Sequence, residues 1–120
     1  MARKVIVDTN FILSCIRNRI DFFEELKFMG LQVLVPIQVV KELEKLSFKL
    51  NEAKFALKLL KENKPEEIDL KVSYADEGIA RYCARDKHII LASLDKALQE
   101  KVLGNPRILI RNKKSLELFG

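Results

Sequence analysis

Four acids stand apart from the other carboxylates of this chain: Asp8, Glu42, Asp76 and Asp95. Asp8 directly follows the apolar run Val5-Ile6-Val7, and the other three recur at element boundaries or on helix faces where folding alone gives an acid little reason to be. Hard divalent cations such as Mg²⁺ or Mn²⁺ require carboxylates gathered from distant segments, because they take oxygen ligands and keep open, water-filled positions for a substrate phosphate. The chemistry to expect is phosphodiester hydrolysis.

Each acid also has an ordinary structural explanation. Asp8, Thr9 or Asn10 is able to cap the helix entered at Phe11 by accepting a hydrogen bond from a free N–H. Directly after a buried strand, Asp8 would lie at the ligand-binding edge of a sheet while Thr9 or Asn10 does the capping. Glu42 sits beside the apolar stripe of Val39, Leu43 and Leu46; its alternative is an ion pair with Lys41 or Lys45, about 0.3–0.5 kcal/mol on a helix. Asp76 completes Ser73-x-x-Asp76, a capping-box pattern. It also shares a helix face with Ile79, Ala80 and Cys83, where an unpaired carboxylate is costly unless a cation meets it. Glu77 points about 100° away around the same helix. Asp95 and Ser93 both read as N-caps of the helix that follows them. One shared metal site accounts for all four acids at once, and their mutual repulsion at a common edge would call for bound cations.

The elements that must position them read as strands and helices in alternation. Lys4 to Val7, Gln32 to Val35, Ile68 to Leu70, Ile89 to Ala92 and Arg107 to Ile110 are short, mostly apolar strands. Asn10 to Arg17 and Asp21 to Met29 suggest two helices ended by Gly30, and Pro36 suits the first position of a helix running to about Phe48. Asn51 to Asn63 makes a fourth helix closed before Pro65, Ser73 to Arg85 a fifth, and Lys96 to Leu103 a sixth, stopped by Gly104-Asn105-Pro106. Such alternation implies a parallel sheet covered by helices on both faces, with ligands gathering outside the carboxyl ends of its strands.

A chain of 120 residues, 48% hydrophobic and 32% charged, suits a single domain over 1–120 with one core. No apolar stretch is long enough for a membrane span, and Met1-Ala2-Arg3-Lys4 leads straight into a strand rather than into a signal-peptide core. Cys15 and Cys83 fall within helical apolar patterns and read as reduced core residues of a cytoplasmic protein. The formal net charge of +5 favours a polyanionic partner.

Taken in order, Val7-Asp8-Thr9-Asn10-Phe11-Ile12-Leu13, Val35-Pro36-Ile37-Gln38-Val39-Val40-Lys41-Glu42-Leu43, Tyr74-Ala75-Asp76-Glu77-Gly78-Ile79-Ala80 and Ile89-Ile90-Leu91-Ala92-Ser93-Leu94-Asp95 resemble the acidic motifs of the PIN domain family of metal-dependent ribonucleases. The resemblance covers almost the whole chain. It implies a three-layer α/β/α fold around a mainly parallel five-stranded sheet of order 3-2-1-4-5, which sets the ends carrying Asp8 and Asp95 side by side. By the same resemblance, Asp8, Glu42, Asp76 and Asp95 would be catalytic and would coordinate one or two Mg²⁺ or Mn²⁺ ions, with Asn10 and Ser93 as supporting polar groups. The chain departs from the family pattern in carrying Arg85-Asp86-Lys87-His88 where a glycine is common, and Leu94 where a polar residue is common.

The basic end, with Arg107, Arg111, Lys113 and Lys114, resembles PIN proteins of ribosomal RNA processing more than the toxin halves of toxin-antitoxin pairs. Those four residues would contact RNA, or else guard a solvated strand edge. His88 reads as a loop residue rather than a base. The expected activity is metal-dependent endoribonuclease, with a toxin-type ribonuclease or a non-catalytic RNA-binding or assembly protein as rivals; a response-regulator-like domain is disfavoured because it would need a Lys late in the chain in a different arrangement. An antitoxin or a ribosome-assembly factor is the protein partner each branch would imply. A homodimer would draw on Phe22, Phe23, Phe28 or Phe48, which core packing explains equally well.

Overall fold

The computed structural model describes residues 2–120. Strand β1 (Arg3–Val7) leads into helices α1 (Thr9–Arg17) and α2 (Phe22–Phe28), then β2 (Leu31–Pro36), α3 (Ile37–Leu46), α4 (Asn51–Asn63) and β3 (Glu66–Ile68). The second half runs α5 (Ala75–Arg85), β4 (Ile90–Ala92), α6 (Lys96–Lys101), β5 (Arg107–Arg111) and β6 (Ser115–Phe119). The sheet has the order β3-β2-β1-β4-β5-β6. β1 to β5 are parallel, and β6 returns antiparallel to β5.

Alternation along the central strands builds two cores. Val5 and Val7 of β1 face a large cluster with Phe11, Ile12, Val39, Leu43, Ala53 and Ala56, contributed by α1, α3 and α4. Ile6, on the opposite side of the same strand, joins Leu34, Leu91, Ile79, Cys83 and Leu98 under α5 and α6. β1 therefore lies between two helical layers, which is why its run is apolar without interruption. Cys15 and Cys83 are buried free thiols, one in each core.

The expected three layers and the order 3-2-1-4-5 hold, with a sixth strand added beyond β5. β6 escapes a reading of the sequence because Ser115 to Phe119 is short and follows a polar turn with no Asn-Gly or Asp-Gly signal. Asn112 and Lys113 nonetheless take positive φ, 53° and 56°, and the Lys114 N–H closes the turn on the Arg111 carbonyl. β5 is consequently an interior strand rather than the expected edge. Glu25 of α2 anchors the addition by accepting the Leu116 N–H at 2.9 Å.

Smaller corrections concern boundaries. Pro36 ends β2 and is the N-cap of α3, with ψ 139° keeping it extended, instead of opening the helix. β3 lies two residues earlier than expected because its register with β2 pairs Leu34 with Glu66 and Pro36 with Ile68, and an edge strand tolerates the acids Glu66 and Glu67. Helix α5 starts at Ala75 rather than Ser73, and α6 ends at Lys101. Phe22 is a core residue at 1% exposure, which removes it from any surface interface, while Phe28 and Phe48 are exposed.

Candidate active site

The switch point of this sheet lies between β1 and β4, whose chains leave in opposite directions toward α1 and α6. Asp8 extends the ladder by one bond, its N–H donating to the Ala92 carbonyl at 3.2 Å. It is the N-cap of α1: Oδ1 accepts the Phe11 N–H at 2.8 Å, and Oδ2 accepts the Ser93 hydroxyl. The capping task expected of Thr9 or Asn10 thus falls to Asp8, because α1 already begins at Thr9. Asp8 is only 5% exposed. Burial pushes its carboxyl up to about 6, against the Ser93 and Phe11 hydrogen bonds, with the charges of Asp76 and Asp95 adding to the rise.

Ser93 links the two strand ends. Its buried hydroxyl donates to Asp8 and accepts the Asp95 N–H at 3.0 Å, while Gln99 of α6 donates to its carbonyl at 2.6 Å. Asp95 caps α6 through Oδ1, which accepts from Ala97 at 2.9 Å and Leu98 at 3.2 Å, leaving Oδ2 outside the cap. Capping and site geometry coexist in both aspartates.

Glu42 comes from the β2 side, exposed on α3, and no ion pair joins it to Lys41 or Lys45 among the described residues. Asp76 sits in the first turn of α5. The expected capping box does not form: Tyr74 is the N-cap, which makes Asp76 the second helical residue rather than the third. Nor does Asp76 face the core. Ile79 and Cys83 are fully buried, but Asp76, nearer the helix start, is exposed beyond them. Partial desolvation raises its carboxyl, followed by the charges of Asp95 and Glu42, against Lys101; a hydrogen bond with Asp95 also favours the protonated form.

The four acids, with Thr9, Asn10 and Ala75, line one small pocket of about 110 Å³. Among the described residues no three carboxylates close into a ready-made cage for an ion. They ring the pocket instead. Thr9 was missed as a site residue; its buried hydroxyl has no hydrogen-bond partner.

Three further residues position this ring. Gln38 donates to Asp69 Oδ1 and to the Val72 carbonyl, both at 3.0 Å, and accepts the Leu70 N–H at 3.3 Å, fixing the loop that leads to Asp76. That loop rests on Gly78, where a Cβ would meet Val72 Cγ2 at 2.6 Å and Leu70 Cβ at 2.7 Å. Asn105, read from sequence only as part of a turn, is buried, and the two hydrogens of its Nδ2 are shared among the carbonyls of Cys83, Asp86 and Ile89, joining the end of α5 to the entry of β4. Neither a turn motif nor a helical glutamine distinguishes such roles in advance.

The expected basic surface does not stay together. Arg107 begins β5 level with Leu91 of β4 and Ile6 of β1, two residues short of the level of Asp8 and two strands away from it. Arg111, Lys113 and Lys114 lie at the carboxyl end, roughly 13 Å along the strand at 3.3 Å per residue. Arg111 is engaged with Glu117 at 2.6 Å, and Lys113 and Lys114 are exposed in the turn. His88 is exposed in the loop between α5 and β4.

The fold is an open, mainly parallel α/β sheet with four carboxylates converging at its switch point, the edge where ligands of such sheets gather. The chain belongs to the PIN-like domain family, whose model matches residues 5–113. It is 30% identical to Ribonuclease VapC4 of Methanocaldococcus jannaschii, over 98% of this chain and 97% of that protein. It is 33% identical to the rRNA-processing protein fcf1 of Schizosaccharomyces pombe over 92% of this chain, and the match spans 60% of that longer protein. The structure resembles that of the PIN domain endonuclease Utp24, with a TM-score of 0.81, 30% identity and coverage of 95% of this chain and 90% of the other.

Proposed function

We propose that the chain works as one PIN-like domain and is a divalent-metal-dependent endoribonuclease of the cytoplasm, with the scissile phosphate held over the ring of Asp8, Glu42, Asp76 and Asp95. The observation that carries this reading is the convergence of four carboxylates from four separate segments on one polar pocket.

The donor set fits Mg²⁺ or Mn²⁺. It consists of carboxylate oxygens, with the unpartnered Thr9 hydroxyl beside them, and contains no sulfur or imidazole to favour softer ions. Asp8, Glu42, Asp76 and Asp95 would hold the ion or ions. A bound divalent ion supplies charge neutralisation and Lewis acidity at a phosphate oxygen and eases ionisation of a water. The remaining work belongs to the chain. The Phe11 N–H and the Ser93 hydroxyl fix the Asp8 carboxylate in one orientation, so its placement needs no reorganisation during the reaction. Ser93 and Gln99 hold the β4 end against β1, and Asn10 offers an exposed amide to a substrate phosphate.

For biological setting, maturation of ribosomal RNA with assembly factors as partners is one reading, taken from the fcf1 relative and the basic turn. A toxin-type ribonuclease paired with an antitoxin is the second, favoured by the match to VapC4 along nearly the full length of both chains.

The test is cleavage of end-labelled RNA by purified protein with Mg²⁺ or Mn²⁺, beside EDTA and the Asp8→Asn variant. Cleavage that requires the ion and falls by about a hundredfold or more in the variant is expected for loss of a group at least as important as an outer-shell partner. RNA binding without ion-dependent cleavage would favour a non-catalytic RNA-binding protein.

A further inference from the structure

A second concavity, about 690 Å³, opens beside the acid pocket and shares Glu42 and Ala75 with it. One wall is α3, presenting Lys41 and Lys45 a turn apart, with Phe48 just beyond the helix end; the other is the loop carrying Val72 and Tyr74. Phe48 is 89% exposed and Tyr74 80%. Two bare aromatic rings beside a polar site contribute little to folding, since their faces remain in water. Neither lysine is in an ion pair among the described residues, and apart from Glu42 the groove has one acid, Glu44.

Aromatic faces interleaved with lysines are the equipment of a single-strand track: rings stack on any unpaired base, and ammonium groups follow the backbone phosphates. Paired bases in an A-form helix have no free faces to offer. The loop under Tyr74 is held on one side by the three Gln38 hydrogen bonds and on the other by contact with Gly78. Its backbone is therefore set before ligand arrives, which lowers the ordering cost of binding.

We propose that this groove is a single-strand subsite, which takes unpaired nucleotides flanking the scissile phosphate by stacking bases on Tyr74 and Phe48 and drawing phosphates to Lys41 and Lys45. The inference rests on the acid pocket being a hydrolytic centre only for what happens to the bound strand; the binding itself is measurable without turnover. It shifts base contact away from the β5–β6 side.

The test uses the full chain carrying Asp8→Asn, with Mg²⁺, and fluorescence anisotropy of a labelled RNA strand of roughly 12 nucleotides, a length such tracks span. The same strand annealed to its complement serves as the duplex probe. Tyr74→Ala and Phe48→Ala should each weaken single-strand binding about fivefold or more, with Tyr74→Phe close to the parent and duplex binding unchanged by any of them. Both positions are exposed, so melting temperatures should stay level. Unaltered single-strand affinity, an equal loss on duplex, or no single-strand binding by the parent overturns the proposal. So does conversion of a dimer to a monomer by either variant in light scattering, which would make the groove a self-association face. If the parent binds through the groove but the wild-type chain cuts nothing, the groove stands and the hydrolytic reading falls.

Discussion

At Asp8 a single carboxyl group ends a strand, caps a helix, accepts a serine hydroxyl and faces a pocket lined by three other acids. Its pKa, pushed from 3.8 to about 6, measures what that placement costs the fold without a cation. Below pH 3.8 the group is protonated folded or unfolded and the penalty is absent; as pH rises to about 6 the unfolded chain loses the proton first and stability drains away; above 6 the loss is complete and constant. The ceiling on that loss is about 3 kcal/mol from the linkage of pKa to stability. Asp8→Asn should therefore raise the melting temperature of the metal-free protein at pH 8, and thermal scans at descending pH should find the gain shrinking through the interval from 6 to 3.8. A pH-independent gain would point to a different origin. Ser93→Ala removes the bond that opposes this rise, so Asp8 should titrate higher still, and cleavage at pH 7 should fall roughly 10- to 100-fold, as for other outer-shell partners.

The elements that carry the site explain which parts of it were legible in the sequence. Asp8 and Asp95 could be placed because each follows a strand whose three residues before it, or nearly so, are apolar, and the ends of adjacent parallel strands must meet. The N-termini of α1 and α5 were harder. Nothing in Asp8-Thr9-Asn10 says which residue caps, since all three types do so well. Ser73-x-x-Asp76 matches a capping box, yet the long-range hold of Gln38 on residues 70 and 72, and the close approach at Gly78, set the helix start at Ala75. Tertiary contacts decided a local question. Gly78→Ala tests that hold, because its Cβ would come within 2.6–2.7 Å of Val72 and Leu70 and the loop must yield. A destabilisation of about 1–3 kcal/mol is expected in urea unfolding, as for overpacking generally, together with weaker cleavage because Asp76 shifts with α5. Full retention of both would mean that the loop gives way freely. β6 was illegible for another reason: the turn that folds it back on β5 carries no glycine signal, and its anchor Glu25 lies 91 residues away in sequence.

Across the whole molecule, the acid ring sits between two cationic flanks at the carboxyl edge of the sheet. Lys41 and Lys45 approach from the β2 side, while Lys113 and Lys114 lie in the β5–β6 turn on the other. An RNA backbone crossing the ring would meet both. For a single strand, each phosphate neutralised contributes about −0.7 to the slope of log affinity against log salt, so four such lysines predict a slope of roughly −3. Replacing Lys113 and Lys114 together by alanine should bring it nearer −1.5, read from anisotropy titrations at several salt concentrations. An unchanged slope would remove the β5–β6 turn from the RNA path. Among the described residues no helix is long and apolar enough to cross a membrane, and Phe28 is exposed on a surface that the core does not use.

If the four carboxylates act together as the hydrolytic centre, cleavage rates of matched variants show it most directly. Asp8→Asn, Glu42→Gln, Asp76→Asn and Asp95→Asn would be compared with Glu77→Gln, whose native carboxylate lies next to Asp76 in sequence but pairs with Arg81 away from the pocket. Under the same ion and RNA, each of the four should lose at least about tenfold in rate while the Glu77 variant stays near wild type. Equal rates in all six proteins would place the activity elsewhere and contradict the account.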